Sequence, residues 1–170
     1  MKKLVLLLLL SPFFFACTDD KDEEYTNNSI EYNLYQSSDY AYEGKLLVRE
    51  LTSGQLELTV QLEGAKESEA YYFPAHLHFG SYDNPDSPIA YMLNPVDIRD
   101  LKSTTVLGLL SNGNSLTFEQ FKSFDGHVKV HLAESGPDYE VILSAGNIGG
   151  NENAIEAFNR EGISVCLPVY

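Results

Sequence analysis

The sequence predicts an all-β fold, an antiparallel Greek-key β-sandwich with one or two short helices. Residues 55–63 alternate polar and apolar side chains without a fault, which is the period of a strand with one buried face. Several further short runs rich in β-branched and aromatic residues follow, and clusters of Asn, Asp, Gly, Pro and Ser separate them. The chain contains no internal repeat, so we expect one domain.

The individual strands follow from the same signals. Residues 44–51 and 55–63 are predicted to form a hairpin, because the short turn Thr52-Ser53-Gly54 lies between them. The remaining predicted strands cover residues 71–79, 89–93, 102–110, 126–132, 139–144 and 162–169.

Two short helices are predicted between the later strands. Thr117 and Gln120 have the spacing of a capping box at the start of a helix, and phenylalanines follow on its apolar side. A second helix is predicted over residues 154–160, with Gly162 at its end. The glycine-rich residues 146–150 are interpreted as a bend before this helix.

The N-terminus has the layout of an export signal. Lys2 and Lys3 precede an apolar run, and Ala16 leads directly into Cys17. The run is shorter than the roughly 20 residues that span a bilayer. A signal that ends in Ala-Cys resembles a bacterial lipoprotein signal, in which the cysteine is lipidated and becomes the new N-terminus. We therefore expect residues 1–16 to be removed and Cys17 to anchor the protein to a membrane.

Residues 17–28 are predicted to form an acidic, disordered tether, and the β-sandwich domain to cover residues 29–170. Residues 18–24 have almost nothing to bury. They resemble the acidic signals that send some Gram-negative lipoproteins to the outer face of the outer membrane, and a solvated spacer is the alternative. The expected location is the outer membrane, facing either the periplasm or the cell surface.

The net charge and the number of cysteines exclude some functions and structural features. The 170 residues carry a net charge of −14, and loss of Lys2 and Lys3 with the signal makes it −16. Such a surface repels phosphates, so nucleic-acid binding is excluded. Once Cys17 is lipidated, Cys166 is the single remaining thiol, which rules out an internal disulfide. Cys166 is expected to pack as a small, inert apolar side chain.

All four histidines occur in pairs on predicted strands. His76 and His78 share one face of their strand, and Ala75 and its apolar neighbours share the other. His127 and His131 lie on the polar face of a later strand in the same way. Each of the two strands therefore has a core side and a histidine side.

This spacing predicts a site for a transition metal. His76 and His78 are about 6.6 Å apart along a strand, so both imidazoles can reach one ion with bonds of about 2.0–2.1 Å. His127 and His131 are about 13 Å apart, so at most one of them is expected to join. A set of three imidazoles suits copper or zinc. The alternative is that the histidines are solvent-facing residues of polar strand faces.

The segments around both histidine pairs resemble the CHRD domain. Residues 75–78 (Ala-His-Leu-His), a following glycine and the apolar residues 88–93 are similar to its Ala-His-Ile-His, glycine-rich turn and apolar strand. Residues 127–132 resemble its aromatic-Val-Asn-Val-His-Thr segment, and residues 146–150 its closing Gly-Glu-Ile-Arg-Gly. The resemblance covers about residues 43–150 and implies a non-catalytic exported module.

The same residues also resemble copper,zinc superoxide dismutase, a β-sandwich with a His-x-His on one strand and a later Val-Val-His. That resemblance implies His76, His78 and His131 as copper ligands. His127 is the less favoured candidate, and the predicted sandwich is of the superoxide-dismutase-like or immunoglobulin-like kind. The chain has no histidine between His78 and His127, so the bridging and zinc ligands of that family are missing.

Three functions follow as hypotheses. The first is a lipid-anchored, non-catalytic CHRD-like module that binds copper or zinc. The second is a degenerate copper-only oxidoreductase of the dismutase type. The third is a surface adhesion or glycan-binding module, which would meet a protein or glycan partner through acidic loops and the tyrosines clustered between Tyr25 and Tyr42.

Overall fold

The computed structural model describes residues 25–165, which form eight strands and very little helix. The predicted all-β, antiparallel class is therefore confirmed. The strands are β1 (Tyr25–Gln36), β2 (Glu43–Leu51), β3 (Leu56–Glu63), β4 (Tyr72–Phe79), β5 (Ile89–Asp97), β6 (Lys102–Val106), β7 (Asp125–His131) and β8 (Ile142–Gly149). No helix in this part of the chain has the length and apolar character needed to cross a bilayer.

The strands close into a single barrel, whereas the sequence predicts two facing sheets of a Greek-key sandwich. Their order around the barrel is β1-β2-β3-β6-β5-β4-β7-β8, and β8 pairs back on β1. Two seams of the barrel are short. β5 pairs with β6 only at Asp97 and Lys102, and β1 meets β8 only where Tyr35 faces Ala145 and Gln36 faces Ser144. The sequence periodicity could not predict that the sheet closes into a barrel, because it indicates which face of a strand is buried and not which strands pair.

The apolar core fills the inside of the barrel. Alternate residues of each strand point inward, as the period-two pattern predicts. In β4 these are Phe73, Ala75 and Leu77, and in the neighbouring β7 they are Val128 and Val130. A buried side chain of this kind stabilises the fold by about 1.5–3 kcal/mol relative to an exposed one. The residues between them therefore point to the outside of the barrel wall.

The first strand is missing from the predicted set of elements. The predicted tether overlaps β1 over residues 25–28, and the tyrosine-rich stretch that follows is strand with Tyr32 and Leu34 buried in the core. Residues 29–34 alternate polar and apolar side chains, so the signal for this strand was present. Residues 17–24, and with them Cys17, lie outside the described residues.

Of the two predicted helices, the first is present in the structure and the second is not. The capping box is confirmed, because the Thr117 side chain accepts a hydrogen bond from the Gln120 N–H and the Gln120 side chain accepts one from the Thr117 N–H. It begins α1 (Phe118–Phe121). The helix predicted over residues 154–160 is wrong, since only two short 3₁₀ turns form, at Ile155–Ala157 and Arg160–Gly162.

The end of the chain also differs from the prediction. Residues 146–150 do not form a bend, because β8 continues to Gly149. Gly146 is needed inside that strand, since a Cβ atom there would lie 2.1 Å from the carbonyl oxygen of Asn33 on β1. The strand predicted over residues 162–169 is absent from residues 162–165, and residues 166–170, including Cys166, lie outside the described part.

Candidate metal centre

The four histidines lie on two neighbouring strands of the barrel. β4 and β7 pair so that His76 faces Lys129 and His78 faces His127. Because paired residues point to the same side of a sheet, the histidines of both strands share the outer face of the barrel wall. His131, two residues beyond Lys129, continues the same row.

This outer face is covered by loops, which the polar strand pattern did not predict. All four histidines are between 0% and 2% exposed. The cover includes the loop after β4, the 3₁₀ turn Pro137–Glu140 before β8 and the segment after β8. Asn147, the partner of His127 on β8, holds the first loop by accepting hydrogen bonds from the Tyr82 N–H and the Ser81 hydroxyl, both at 3.1 Å. The interpretation of these histidines as solvent-facing residues is therefore wrong.

Three of the buried histidines form a cluster that could hold a metal ion. His76, His78 and His131 each offer one ring nitrogen, and these three nitrogens lie within 4.8 Å of one another. The ring centroid of His76 is 5.8 Å from that of His78 and 5.0 Å from that of His131. Nitrogens at this separation are close enough to share an ion at bonds of about 2.0–2.1 Å after small side-chain adjustments.

The hydrogen bonds of His131 fix which nitrogen faces the cluster. Its Nδ1 lies 2.7 Å from the carbonyl oxygen of Tyr139. A carbonyl can only accept, so Nδ1 carries the proton and Nε2 keeps its lone pair. Nε2 is buried and has no hydrogen-bond partner among residues 25–165. The Tyr139 ring stacks on the imidazole at 4.5 Å with the planes 8° apart, which holds the ring in place.

His76 and His78 are oriented by different means. Nδ1 of His76 is buried and finds no hydrogen-bond partner within the described part of the chain. Nδ1 of His78 donates a longer hydrogen bond, 3.3 Å, to the carbonyl oxygen of Ser87 in the loop after β4. This contact favours the tautomer in which Nε2 of His78 carries the lone pair.

His127 lies beside the cluster and is not part of it. Its ring stacks on that of His78, with centroids 4.7 Å apart and planes inclined by 5°. Its Nδ1 donates to the carbonyl oxygen of Gly80 at 2.7 Å. The structure therefore brings one member of the second pair, His131, to the His-x-His of β4 and places the other member against the side of His78.

Burial keeps all four imidazoles neutral at physiological pH. The pKa values of His76, His78 and His127 are lowered to about 3, and that of His131 to about 4, in each case mainly because burial disfavours the charged ring. Nearby positive charge, including that of Lys129, lowers all four further. A neutral imidazole is the form that binds a metal, so no proton has to be displaced at neutral pH.

Lys129 is the residue of this site that sequence reasoning missed. It is 1% exposed, although it lies on the histidine face between His127 and His131. Its Nζ donates a 2.7 Å hydrogen bond to the carbonyl oxygen of Ser164. Ser164 in turn bonds to Tyr82 and Asn84 of the loop after β4. The position of Lys129 within the histidine pair was the available signal, because any cover over the histidines must cover it too.

Comparison with known proteins supplies no relative from which a role could be transferred. No protein-family model, no curated protein and no solved structure matches the chain. The assignment of a function therefore depends on the geometry of the cluster and on the sequence features described above.

Proposed function

We propose that this protein is a lipid-anchored, exported module of the CHRD-like type that binds one copper ion, or zinc, through His76, His78 and His131. The observation that carries the proposal is a set of three buried, neutral imidazoles with ligand atoms within 4.8 Å of one another. The proposed module has no catalytic activity of its own.

The unsatisfied nitrogens favour a bound ion over a purely structural cluster. Nδ1 of His76 and Nε2 of His131, and outside the cluster Nε2 of His127, are buried without a hydrogen-bond partner in the described residues. Each such group costs about 1–3 kcal/mol. A metal ion at the cluster would satisfy the nitrogens of His76 and His131 at once. Imidazole suits both copper and zinc, and copper binds most tightly among the divalent first-row metals.

The burial of the cluster supports a non-catalytic role. A dismutase requires an open coordination position that superoxide can reach, whereas these rings are at most 2% exposed. The net charge of −16 expected after loss of the signal also disfavours an anionic substrate. Storage, transfer or structural use of the ion is compatible with such a covered site.

The strand order supports the finer fold assignment that both resemblances imply. We propose that the barrel is of the Greek-key, superoxide-dismutase-like kind. In the order β6-β5-β4-β7, three consecutive strands are followed by a fourth that returns beside the first of them. This is the arrangement that defines a Greek key.

The same strand order also supports one alternative function, that of a copper-only oxidoreductase of the dismutase type. It is favoured by a His-x-His on β4 next to a histidine of β7, within that strand order. A dismutase would consume superoxide in its copper-loaded form far faster than free buffer. Absence of turnover in a protein that retains copper would leave the non-catalytic module.

Lipid anchoring is proposed from the N-terminal sequence alone. Lys2 and Lys3, the apolar run and Ala16-Cys17 support it, and the acidic residues 18–24 support delivery to the outer membrane. Cys17→Ala should release the protein from the membrane fraction. Retention of this variant in the membrane would contradict the proposal.

The metal site is tested with the mature chain produced from residue 18 onward. After loading with copper and desalting, elemental analysis should give one copper per chain. His131→Ala should lose it, while His127→Asn is the matched control and should retain it, because His127 lies outside the cluster. Thermal unfolding of each variant shows that it is folded. No retained copper in the unaltered chain, or equal loss from both variants, would contradict the site.

A further inference from the structure

A second feature lies at one end of the barrel and is separate from the metal ligands. Here β2 begins, β3 ends, β4 begins and β7 ends, and the barrel opens into a groove of about 510 Å³. Phe73, which is buried, lies at its back, and Tyr40, Tyr42 and Tyr71 line it. Small-molecule sites have volumes of about 300–1,000 Å³ and occur in the mouths of β-barrels.

The aromatic walls of this groove are held in place before any ligand arrives. The Phe73 ring meets Tyr42 edge to face at 5.3 Å and Tyr71 edge to face at 5.5 Å. The Tyr42 hydroxyl donates to the carbonyl oxygen of Ala65 and the Tyr71 hydroxyl to that of Leu132, both at 2.9 Å. Fixed rings lose little conformational freedom on binding, which favours affinity.

The charge at the groove is negative. Glu67 and Glu69 line it and are exposed, and none of its lining residues within the described part of the chain is a lysine or an arginine. Within residues 25–165 neither carboxylate forms an ion pair or a side-chain hydrogen bond. The pKa of the Tyr42 hydroxyl is raised, first by burial and then by the negative charge of Glu67. The carboxylate of Glu67 therefore interacts electrostatically with the wall of the groove.

Aromatic faces beside unpaired carboxylates are the chemistry that recognises an organic cation. The ring faces attract a positive charge, the apolar wall accepts a hydrocarbon body, and the two glutamates repel anions. We propose that this groove, defined by Tyr40, Tyr42, Tyr71, Phe73, Glu67 and Glu69, binds a small organic cation, an amine or quaternary ammonium with an apolar body. This activity goes beyond the proposed metal site and does not depend on it.

The test is an NMR titration of the mature chain with benzyltrimethylammonium. Benzyl alcohol serves as the neutral comparison and benzoate as the anionic one. The cation should bind saturably and shift the resonances of Tyr40 and Tyr71, while benzoate should not bind. Tyr71→Leu, which keeps an apolar side chain at a 43% exposed position, should weaken binding; the expected loss is about tenfold.

A pair of double variants tests whether binding of the cation requires the negative charge of the groove. The double variant Glu67→Gln/Glu69→Gln should weaken binding of the cation and leave that of benzyl alcohol unchanged. Glu152→Gln/Glu156→Gln removes the same charge from exposed positions outside the groove and should leave the affinity unchanged. Absence of saturable binding, equal binding of benzoate, or equal effects of the two double variants would overturn the proposal.

Discussion

His131 and Lys129 lie two residues apart on one strand and would have opposite effects on a cation bound at the cluster. His131 offers a buried lone pair, because the carbonyl of Tyr139 holds its other nitrogen protonated. Lys129 brings a buried positive charge to the same face, and this charge lowers the pKa of all four histidines. If the cluster binds metal as proposed, its affinity would reflect both the favourable ligand set and the unfavourable charge of Lys129.

Lys129→Met should bind divalent copper more tightly than the unaltered chain. The substitution removes the repulsion and keeps the length of the side chain, so we expect a gain on the order of tenfold. Competition with a chelator of known affinity measures it. Lys45→Met, at an exposed residue paired with Glu31, is the control and should change nothing. Weaker binding in Lys129→Met would mean that the lysine stabilises the site rather than opposing the ion.

The metal-free protein should lose stability as the pH falls from about 6.5 towards 4. In the unfolded chain the histidines bind protons near pH 6.5, whereas in the folded chain their pKa values are about 3 to 4. Between these limits the unfolded state binds more protons, so the free energy of unfolding falls as the pH is lowered. Urea unfolding at a series of pH values measures it. A free energy of unfolding that stays constant from pH 7 to pH 4.5 would contradict the buried, neutral cluster.

At the scale of the element, the sequence predicts strands better than it predicts their surroundings. The period-two pattern identifies β3, β4 and β7, and the hairpin turn identifies β2; in β4 and β7 the pattern also separates the histidine face from the core face. It does not show that this outer face is buried. Part of the cover comes from residues distant in the chain, such as Ser164, which contacts both Lys129 and Tyr82, and no local pattern reports such a contact.

Asn147 holds in place the segments that cover the histidines. Its side chain accepts from the Tyr82 N–H and the Ser81 hydroxyl, and it donates to the carbonyl oxygen of Glu152. Asn147→Ala should therefore destabilise the fold by about 1–3 kcal/mol. It should also loosen the cover, so that a chelator removes copper faster.

The rate of copper removal by excess chelator measures this effect. Asn28→Ala is the control, because that asparagine is exposed and bonds to Glu50 at the far end of β1. An unchanged removal rate in Asn147→Ala would show that the loop does not limit access to the cluster.

A bound ion should stabilise the whole barrel against unfolding. The cluster joins β4 to β7, and its cover comes from the loop after β4 and from the C-terminal part of the described chain, so an ion there would hold distant segments together. A ligand present at about 100 times its dissociation constant adds about 2.7 kcal/mol to the free energy of unfolding. Copper should therefore raise the unfolding temperature of the unaltered chain and leave that of His131→Ala unchanged. An equal rise in both would indicate binding elsewhere on this acidic surface.

The fold and the cluster were accessible from sequence to different degrees. His76 and His78 could be assigned to one ligand set from their spacing alone, and the exclusion of one member of the second pair followed from strand geometry. The choice of His131 rested on resemblance, and the structure groups it with the first pair. Barrel closure, the buried Lys129 and the stacking of His127 on His78 depend on contacts between strands, which a linear pattern does not contain.

X-ray absorption at the copper edge reports whether three imidazoles of this barrel hold one copper ion, as we propose. The copper-loaded mature chain should show about three imidazole nitrogens at about 2.0 Å, the usual length of such bonds. The signal of one imidazole should disappear in His76→Ala and persist in full in His127→Asn. A first shell made of oxygens alone would contradict the three-histidine site.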